Sequence, residues 1–323
     1  CTKLPTRDTR AAQGMAQRPS STTSCFCSTH TSSAGWPFLA SAPRDELAVR
    51  PGEGEARARP SDFEAQGMTN TAWAFSTLEV LDAPLLDAIS AASIPKLTAV
   101  SAFVAQDLTN TAWAYAHLEL QDFPLLDAIS AASLTKIREF LLQDLSNPAW
   151  SLAKLAFEDL PLMDAIAAQS LPKISQFTPQ SLSTSAWALA KLMLEDAPWI
   201  DSLSAQALPT YADFAPPDIS CMAWAFATLV LLDVPLRAAL SSQALRTLGE
   251  FDAIEISILA WSCARLCWNH THLLSAISAA ALAKINDFGA QEIGNTAWAV
   301  SVFRSSDSEL LDALAVRFLR TLG

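Results

Sequence analysis

Seven tryptophans recur at a nearly fixed interval: Trp73, Trp113, Trp150, Trp187, Trp224, Trp261 and Trp298, spaced 40, 37, 37, 37, 37 and 37. Ten residues before each stands a phenylalanine: Phe63, Phe103, Phe140, Phe177, Phe214, Phe251 and Phe288. The single interval of 40 comes from three extra residues between Lys96 and Phe103. Self-similarity at such a period marks a stacked repeat array, and it assigns residues 61–323 to seven copies of one unit.

Each unit reads as two helices, A and B. In the fourth, Thr178-Pro179-Gln180 supplies a cap followed by proline at the first helical position. Helix A then runs through Trp187 to Leu194. Asp196-Ala197-Pro198 marks the turn into helix B, and the same Asp-x-Pro recurs at Asp82, Asp122, Asp159 and Asp233. Pro95, Pro172 and Pro209 are expected to end or kink helix B, and Pro148 to delay or kink helix A of the third unit. Two short helices cannot bury their own apolar faces, so neighbouring units must stack. The expected fold is all-α, a right-handed α-solenoid of seven two-helix repeats with a 37-residue period.

Mapped at about 100° per residue, helix A carries one buried stripe of Leu182, Ala186, Leu189, Leu192 and Met193. A second stripe, Trp187, Ala190 and Leu194, suits the adjacent repeat. Alanine precedes the tryptophan in all seven copies, as a close helix contact requires. One narrow sector remains, three residues before and four after each tryptophan, with a small residue between. It holds Asn70 and Thr77, Asn110 and His117, Asn147 and Lys154, Thr184 and Lys191, Cys221 and Thr228, Ile258 and Arg265, and Asn295 and Val302. Asparagine can donate to and accept from a base edge, while lysine or arginine suits phosphate. Repeat proteins that read single-stranded RNA use two or three such side chains per unit. The candidate RNA-binding residues are therefore Asn70, Asn110, His117, Asn147, Lys154, Thr184, Lys191, Arg265 and Asn295, on the inner surface of the solenoid. A solvated stripe is also what any surface helix needs.

Composition adds constraints. The chain has 9 glycines against 18 prolines and 10 tryptophans, and no G-x-G-x-x-G or Walker-type loop, so nucleotide binding by such loops is unsupported. The scarce glycine fits turns built on Asp-x-Pro. Residues 1–60 show no hydrophobic period and are expected to be a disordered tail. They hold 8 Lys/Arg and 5 Asp/Glu of the chain's 21 and 33, leaving 13 against 28 in residues 61–323, a balance of −15. Arg-rich, Ser-rich and acid-poor up to Arg44, the tail has the composition of an organellar transit peptide; an untargeted flexible tail is the other reading. No apolar run reaches the roughly 18 residues of a membrane span. The six cysteines form no disulfide framework by spacing. Cys263, Cys267, His270 and His272 invite a zinc site, but they occupy repeat positions held elsewhere by core and turn residues. No metal, cofactor or small-molecule substrate is expected. The carboxylates recur with the repeat and read as caps, not as an acid–base pair, so no enzyme activity is expected.

The segments Leu-Thr-Asn-Thr-Ala-Trp-Ala-Tyr-Ala-His-Leu (108–118) and Pro-Gln-Ser-Leu-Ser-Thr-Ser-Ala-Trp-Ala-Leu-Ala-Lys-Leu (179–192) resemble the octotricopeptide and heptatricopeptide repeat proteins. They are also similar to helical-repeat subunits of the mitochondrial RNA-editing substrate-binding complex and to the repeat region of FAST-kinase-like proteins. The resemblance covers residues 61–323. It implies binding of single-stranded organellar RNA, with effects on processing, stability or translation, in the mitochondrial matrix or a plastid; without it the expectation is cytoplasmic. The acidic array favours a second reading, a protein-interaction scaffold of armadillo or HEAT type, because RNA binders usually present a basic stripe.

Overall fold

The computed structural model describes residues 64–98, 102–303 and 308–321. The tail expected over residues 1–60 lies outside them, and Phe63 with it. The described residues form fourteen α-helices, four short 3-10 segments and no strand. The A helices are α1 (Ala65–Thr77), α3 (Ala105–His117), α5 (Leu142–Lys154), α7 (Pro179–Lys191), α9 (Pro216–Thr228), α11 (Ala253–Arg265) and α13 (Ala290–Phe303). The B helices are α2 (Ala83–Leu97), α4 (Phe123–Lys136), α6 (Leu160–Ser170), α8 (Ala197–Thr210), α10 (Val234–Thr247), α12 (Thr271–Ala283) and α14 (Ser308–Thr321).

The fold divides into two compact units between Ala207 and Leu208. In the first, α1, α3, α5 and α7 pack side by side in one layer, and α2, α4 and α6 in another. In the second, α9, α11 and α13 form the A layer and α10, α12 and α14 the B layer. Each unit is thus a helical solenoid, as the period requires.

The repeated phenylalanines are in the core. Phe103, Phe140, Phe177, Phe214, Phe251 and Phe288 are all buried, and so are the B-helix leucines and isoleucines that face them. Tryptophan rings meet between adjacent A helices, with centroids 6.5 Å apart for Trp113–Trp150, 6.4 Å for Trp150–Trp187 and 6.2 Å for Trp261–Trp298. Each pair is tilted by about 30°, the offset geometry that aromatic quadrupoles favour. The alanines before these tryptophans are buried in six repeats.

Every A helix begins eight residues before its tryptophan. α5 is no exception, so Pro148 does not delay it: Asp144 fixes the start by accepting the Leu141 amide at 3.0 Å. The same reach-back bond joins Asp107 to the Val104 amide (3.1 Å), Asp218 to Ala215 (3.2 Å), Glu255 to Asp252 (2.7 Å) and Glu292 to Gly289 (3.0 Å). Each is an acid six residues before the tryptophan. It satisfies an amide that the helix leaves orphaned and sits where the dipole favours negative charge. In the B helices, Pro95 and Pro209 lie in the last turn and Pro172 opens the 3-10 segment Leu171–Gln176.

The turns differ from expectation in one respect. Asp82, Asp122, Asp159, Asp196 and Asp233 do cap the B helices, each accepting an amide three residues on at 2.8–3.1 Å. But after the first six tryptophans the chain reverses through a left-handed residue six positions on. Glu79, Glu119, Ala156, Met193, Val230 and Cys267 have φ between 51° and 57°. The next amide then bonds back to the helix, as from Val80 to the Phe75 carbonyl at 3.0 Å and from Leu231 to Phe226 at 2.8 Å. This is the Schellman closure that usually carries glycine. Met193, expected in the buried stripe, is consequently 57% exposed; the rest of that stripe, Leu182, Ala186, Leu189 and Leu192, is buried.

Candidate nucleic-acid interface

The sector singled out on helix A reaches solvent at its two ends and closes in the middle. The small residue after the tryptophan is buried in six repeats: Ala114, Ser151, Ala188, Ala225, Ser262 and Ala299. Ser151 and Ser262 return their hydroxyls to the Asn147 and Ile258 carbonyls at 2.9 and 2.8 Å, so they present no polar group outward. Adjacent A helices approach over these small side chains, which leaves two separate polar tracks.

The first track lies in the N-terminal half of the A helices. Asn70 is exposed, Asn110 and Asn147 are half-buried, and Thr184 is buried at 7% exposure. A sequence signal passed over in the periodicity accompanies them: glutamine four residues earlier, at Gln66, Gln106, Gln143, Gln180 and Gln291. An i, i+4 spacing puts each Gln and its Asn or Thr on one helix face. Gln66, Asn70, Gln106 and Asn110 together line a cavity of about 280 Å³, bordered by Glu64, Ala102 and Asp107. Four primary amides around one hollow offer paired donors and acceptors, the chemistry that matches base edges.

Beneath this track runs a buried polar seam. Thr69 and Thr111 share a hydrogen bond at 3.0 Å, and the Thr109 hydroxyl donates to Asp144 at 3.2 Å. Burial pushes the Asp107 and Asp144 carboxyls above their ordinary range, while the capping amide and the facing Lys136 or Lys173 pull them back. Glu255 sits in the same position in the second unit. Burial raises its carboxyl to about 7 against the Asp252 amide that lowers it.

The second track lies at the C-terminal end of the A helices. His117, Lys154 and Lys191 are half-buried in the first unit, as is Arg265 in the second. The His117 ring stacks on Trp113 with centroids 4.8 Å apart, and its buried Nδ1 has no hydrogen-bond partner among the described residues. The Lys154 ammonium is held at 2.6 Å by Glu119 of the preceding repeat. In the second unit the first track is interrupted, because Cys221 and Ile258 are buried; Asn295 alone there is a half-buried amide at this position.

Four further cations serve the fold. Lys136 donates to the Phe103 carbonyl at 2.6 Å, Lys173 to Phe140 at 2.9 Å, and Arg317 to Phe288 at 2.9 Å; Lys284 donates to Phe251. Each clips the end of a B helix to the start of its own repeat. Gln243 replaces the cation in the fifth repeat, donating to Ala212 and Phe214 at 2.9 and 3.1 Å.

The suspected zinc residues have other employment. His270 takes the place of the capping aspartate, its Nδ1 accepting the Leu273 amide at 3.1 Å. Cys263 is a free, fully buried thiol whose ionisation burial opposes. Among the described residues no three His, Cys, Asp or Glu side chains gather as a metal site would require. No helix among them is long and apolar enough to cross a membrane.

A comparison with protein families places the chain. The family of RNA-editing substrate-binding complex 6 proteins matches residues 57–193 and again residues 159–321. Two overlapping matches are what a repeat array produces when one family pattern can be laid on it in two positions. No curated protein matches the chain.

Proposed function

Because the chain belongs to the RNA-editing substrate-binding complex 6 protein family, we propose that it serves as a non-catalytic helical-repeat subunit of a mitochondrial RNA-editing complex, holding single-stranded RNA along its A helices. The observation that carries this reading is the cavity lined by Gln66, Asn70, Gln106 and Asn110, within a fold whose family is named for binding editing substrates. Bases enter the amide track at Gln66, Asn70, Gln106 and Asn110. Phosphates meet the sparse C-terminal track of His117, Lys154, Lys191 and Arg265. Because Lys154 is already paired with Glu119, the phosphate contribution is small, and binding relies on bases and on partner subunits more than on charge. The effect on RNA is processing, stability or translation through the complex; the repeats themselves catalyse nothing.

The test is binding of the full chain to a pool of single-stranded RNA at about 50 and about 200 mM salt. With about two phosphates neutralised, affinity should fall about sevenfold across that range, since each contact adds about 0.7 to the logarithmic slope. Lys154→Ala and Lys191→Ala should each flatten the slope. Undetectable binding at low salt, or binding indifferent to both substitutions, would overturn the reading.

A second reading has its own support. The exposed acids of the A–B turns, such as Glu119, Glu158 and Glu195, suit a scaffold that gathers protein partners, a role compatible with membership of a complex.

A further inference from the structure

Seven of the ten tryptophans are the repeat itself; Trp199 is not. Twelve residues after each repeat tryptophan stands a leucine on helix B, at Leu85, Leu125, Leu162, Leu236, Leu273 and Leu310, and in the fourth repeat alone Trp199 replaces it. An indole brings a donor that leucine lacks. Trp199 is 1% exposed, and its Nε1 has no hydrogen-bond partner among the described residues. A buried tryptophan N–H ordinarily finds an acceptor. Around it lies a hollow of about 270 Å³ with an apolar floor of Met163, Leu189, Leu194 and Trp199 and an acidic rim of Asp164, Glu195 and Asp196. Asp196 is committed to the Trp199 amide, but Asp164 and Glu195 are exposed and have no partner among the described residues.

The hollow opens on the A–B turn edge of the first unit, where apolar side chains stand in water beside acids. Phe123 is 50% exposed and Leu160 54%, and Leu160 belongs to the same helix as Met163 and Asp164. An exposed apolar row with a polar rim marks a protein contact more often than idle surface. The edge is also held rigid. Phe123 meets Phe157 of the next repeat at 6.1 Å, Gln121 donates to the Leu155 carbonyl at 3.2 Å, and Lys154 ties Glu119. A pre-organised edge loses little on binding.

We infer that this edge docks a basic helical segment of a partner protein, with one arginine or lysine side chain inserted between Asp164 and Glu195 above Trp199. The aliphatic stem lies on the apolar floor and the cation on the acidic rim, as long basic side chains are built to do. Leucines of the segment rest on Phe123 and Leu160. Packed helices lie about 8–10 Å apart, close to two helical turns of about 11 Å, so anchors repeat about every seven residues along the partner. This interface is separate from the amide track, and its success or failure leaves the RNA reading untouched.

The probe is a fluorescent helical peptide of about 20 residues with leucine and arginine in a seven-residue repeat, titrated with the full chain. Its control replaces every arginine by glutamine. The arginine peptide should bind, the glutamine peptide should bind about tenfold more weakly, and Asp164→Lys with Glu195→Lys should weaken the arginine peptide about tenfold with unchanged helix content. Leu160→Ser, at an exposed position, should weaken both peptides. Equal binding of the two peptides, no binding at all, or indifference to the charge reversals would overturn the inference. Single-stranded RNA that loses its binding on Trp199→Phe, with the fold intact by circular dichroism, would make the hollow a nucleic-acid site and overturn it equally.

Discussion

Val230 is a β-branched residue at φ 56°, a conformation in which its Cβ crowds the preceding carbonyl. It is also more than a third exposed, so little burial offsets the strain. Val230→Gly should therefore raise stability by about 1 kcal/mol, less the entropy glycine adds to the unfolded chain, read as a higher urea midpoint at unchanged slope. Glycine scarcity reads from sequence as turns made by Asp-x-Pro alone; the structure divides that work between the aspartate cap and a left-handed residue of almost any type. Nothing in Glu79, Ala156 or Met193 announces that geometry, because the hydrogen bonds of the closure come from the backbone. Glu255 carries a second residue-scale prediction. Its carboxyl is raised to about 7 in the fold against about 4.5 when free, so between those values the folded protein holds a proton that the unfolded chain has lost. Its stabilising share is complete below about pH 4.5 and declines as pH rises toward 7, by at most about 3 kcal/mol. Glu255→Gln, which still offers an oxygen to the Asp252 amide, should flatten the stability–pH curve over that window; an unchanged curve would show that the carboxyl titrates elsewhere.

At the scale of the element, polar clips close the second, third, sixth and seventh repeats. In these the acid six residues before the tryptophan holds the start of helix A, and a basic residue near the end of helix B reaches the carbonyl of the repeat's phenylalanine. Lys136→Met keeps the length and apolar character of the stem, removes the donor to Phe103, and leaves the buried Asp107 without its facing cation. It should cost about 1–3 kcal/mol in thermal or denaturant unfolding, whereas the exposed Arg138→Met beside it should change stability by less than about 0.5 kcal/mol. The helices themselves were legible at sequence level. Caps, Asp-x-Pro and the phenylalanine–tryptophan interval mark their starts, and the buried Leu182, Ala186 and Leu189 follow from the helical period. The clip was not legible, because its partners stand 33 residues apart and one of them is a backbone carbonyl, which no side-chain pattern reports.

For the whole molecule, the acidic balance stands beside membership of a family named for binding RNA-editing substrates. The surplus of acids lies largely in caps and turns, and several of the fewer cations are spent within the repeats, as with Lys173, Lys284 and Arg317. What remains for a ligand on the A helices is amide chemistry, at Gln66, Asn70, Gln106 and Asn110, with few free charges. The asparagines of that track were visible from sequence as the one sector left between two buried stripes. The closure of the sector at Ala114, Ser151 and Ala188 was not, since a small residue looks alike whether it faces water or a neighbouring helix. Replacing Asn70 and Asn110 together by leucine should weaken RNA binding several-fold at every salt concentration without altering the slope, because amides neutralise no phosphate. The most direct test of the central claim is photo-cross-linking of 4-thiouridine-containing single-stranded RNA to the full chain, with the modified peptides mapped. The account predicts cross-links within helices α1, α3 and α5, around Gln66 to Thr77, Gln106 to His117 and Gln143 to Lys154. Cross-links confined to residues 1–60 or to the A–B turns around Phe123, Leu160 and Glu195 would contradict it.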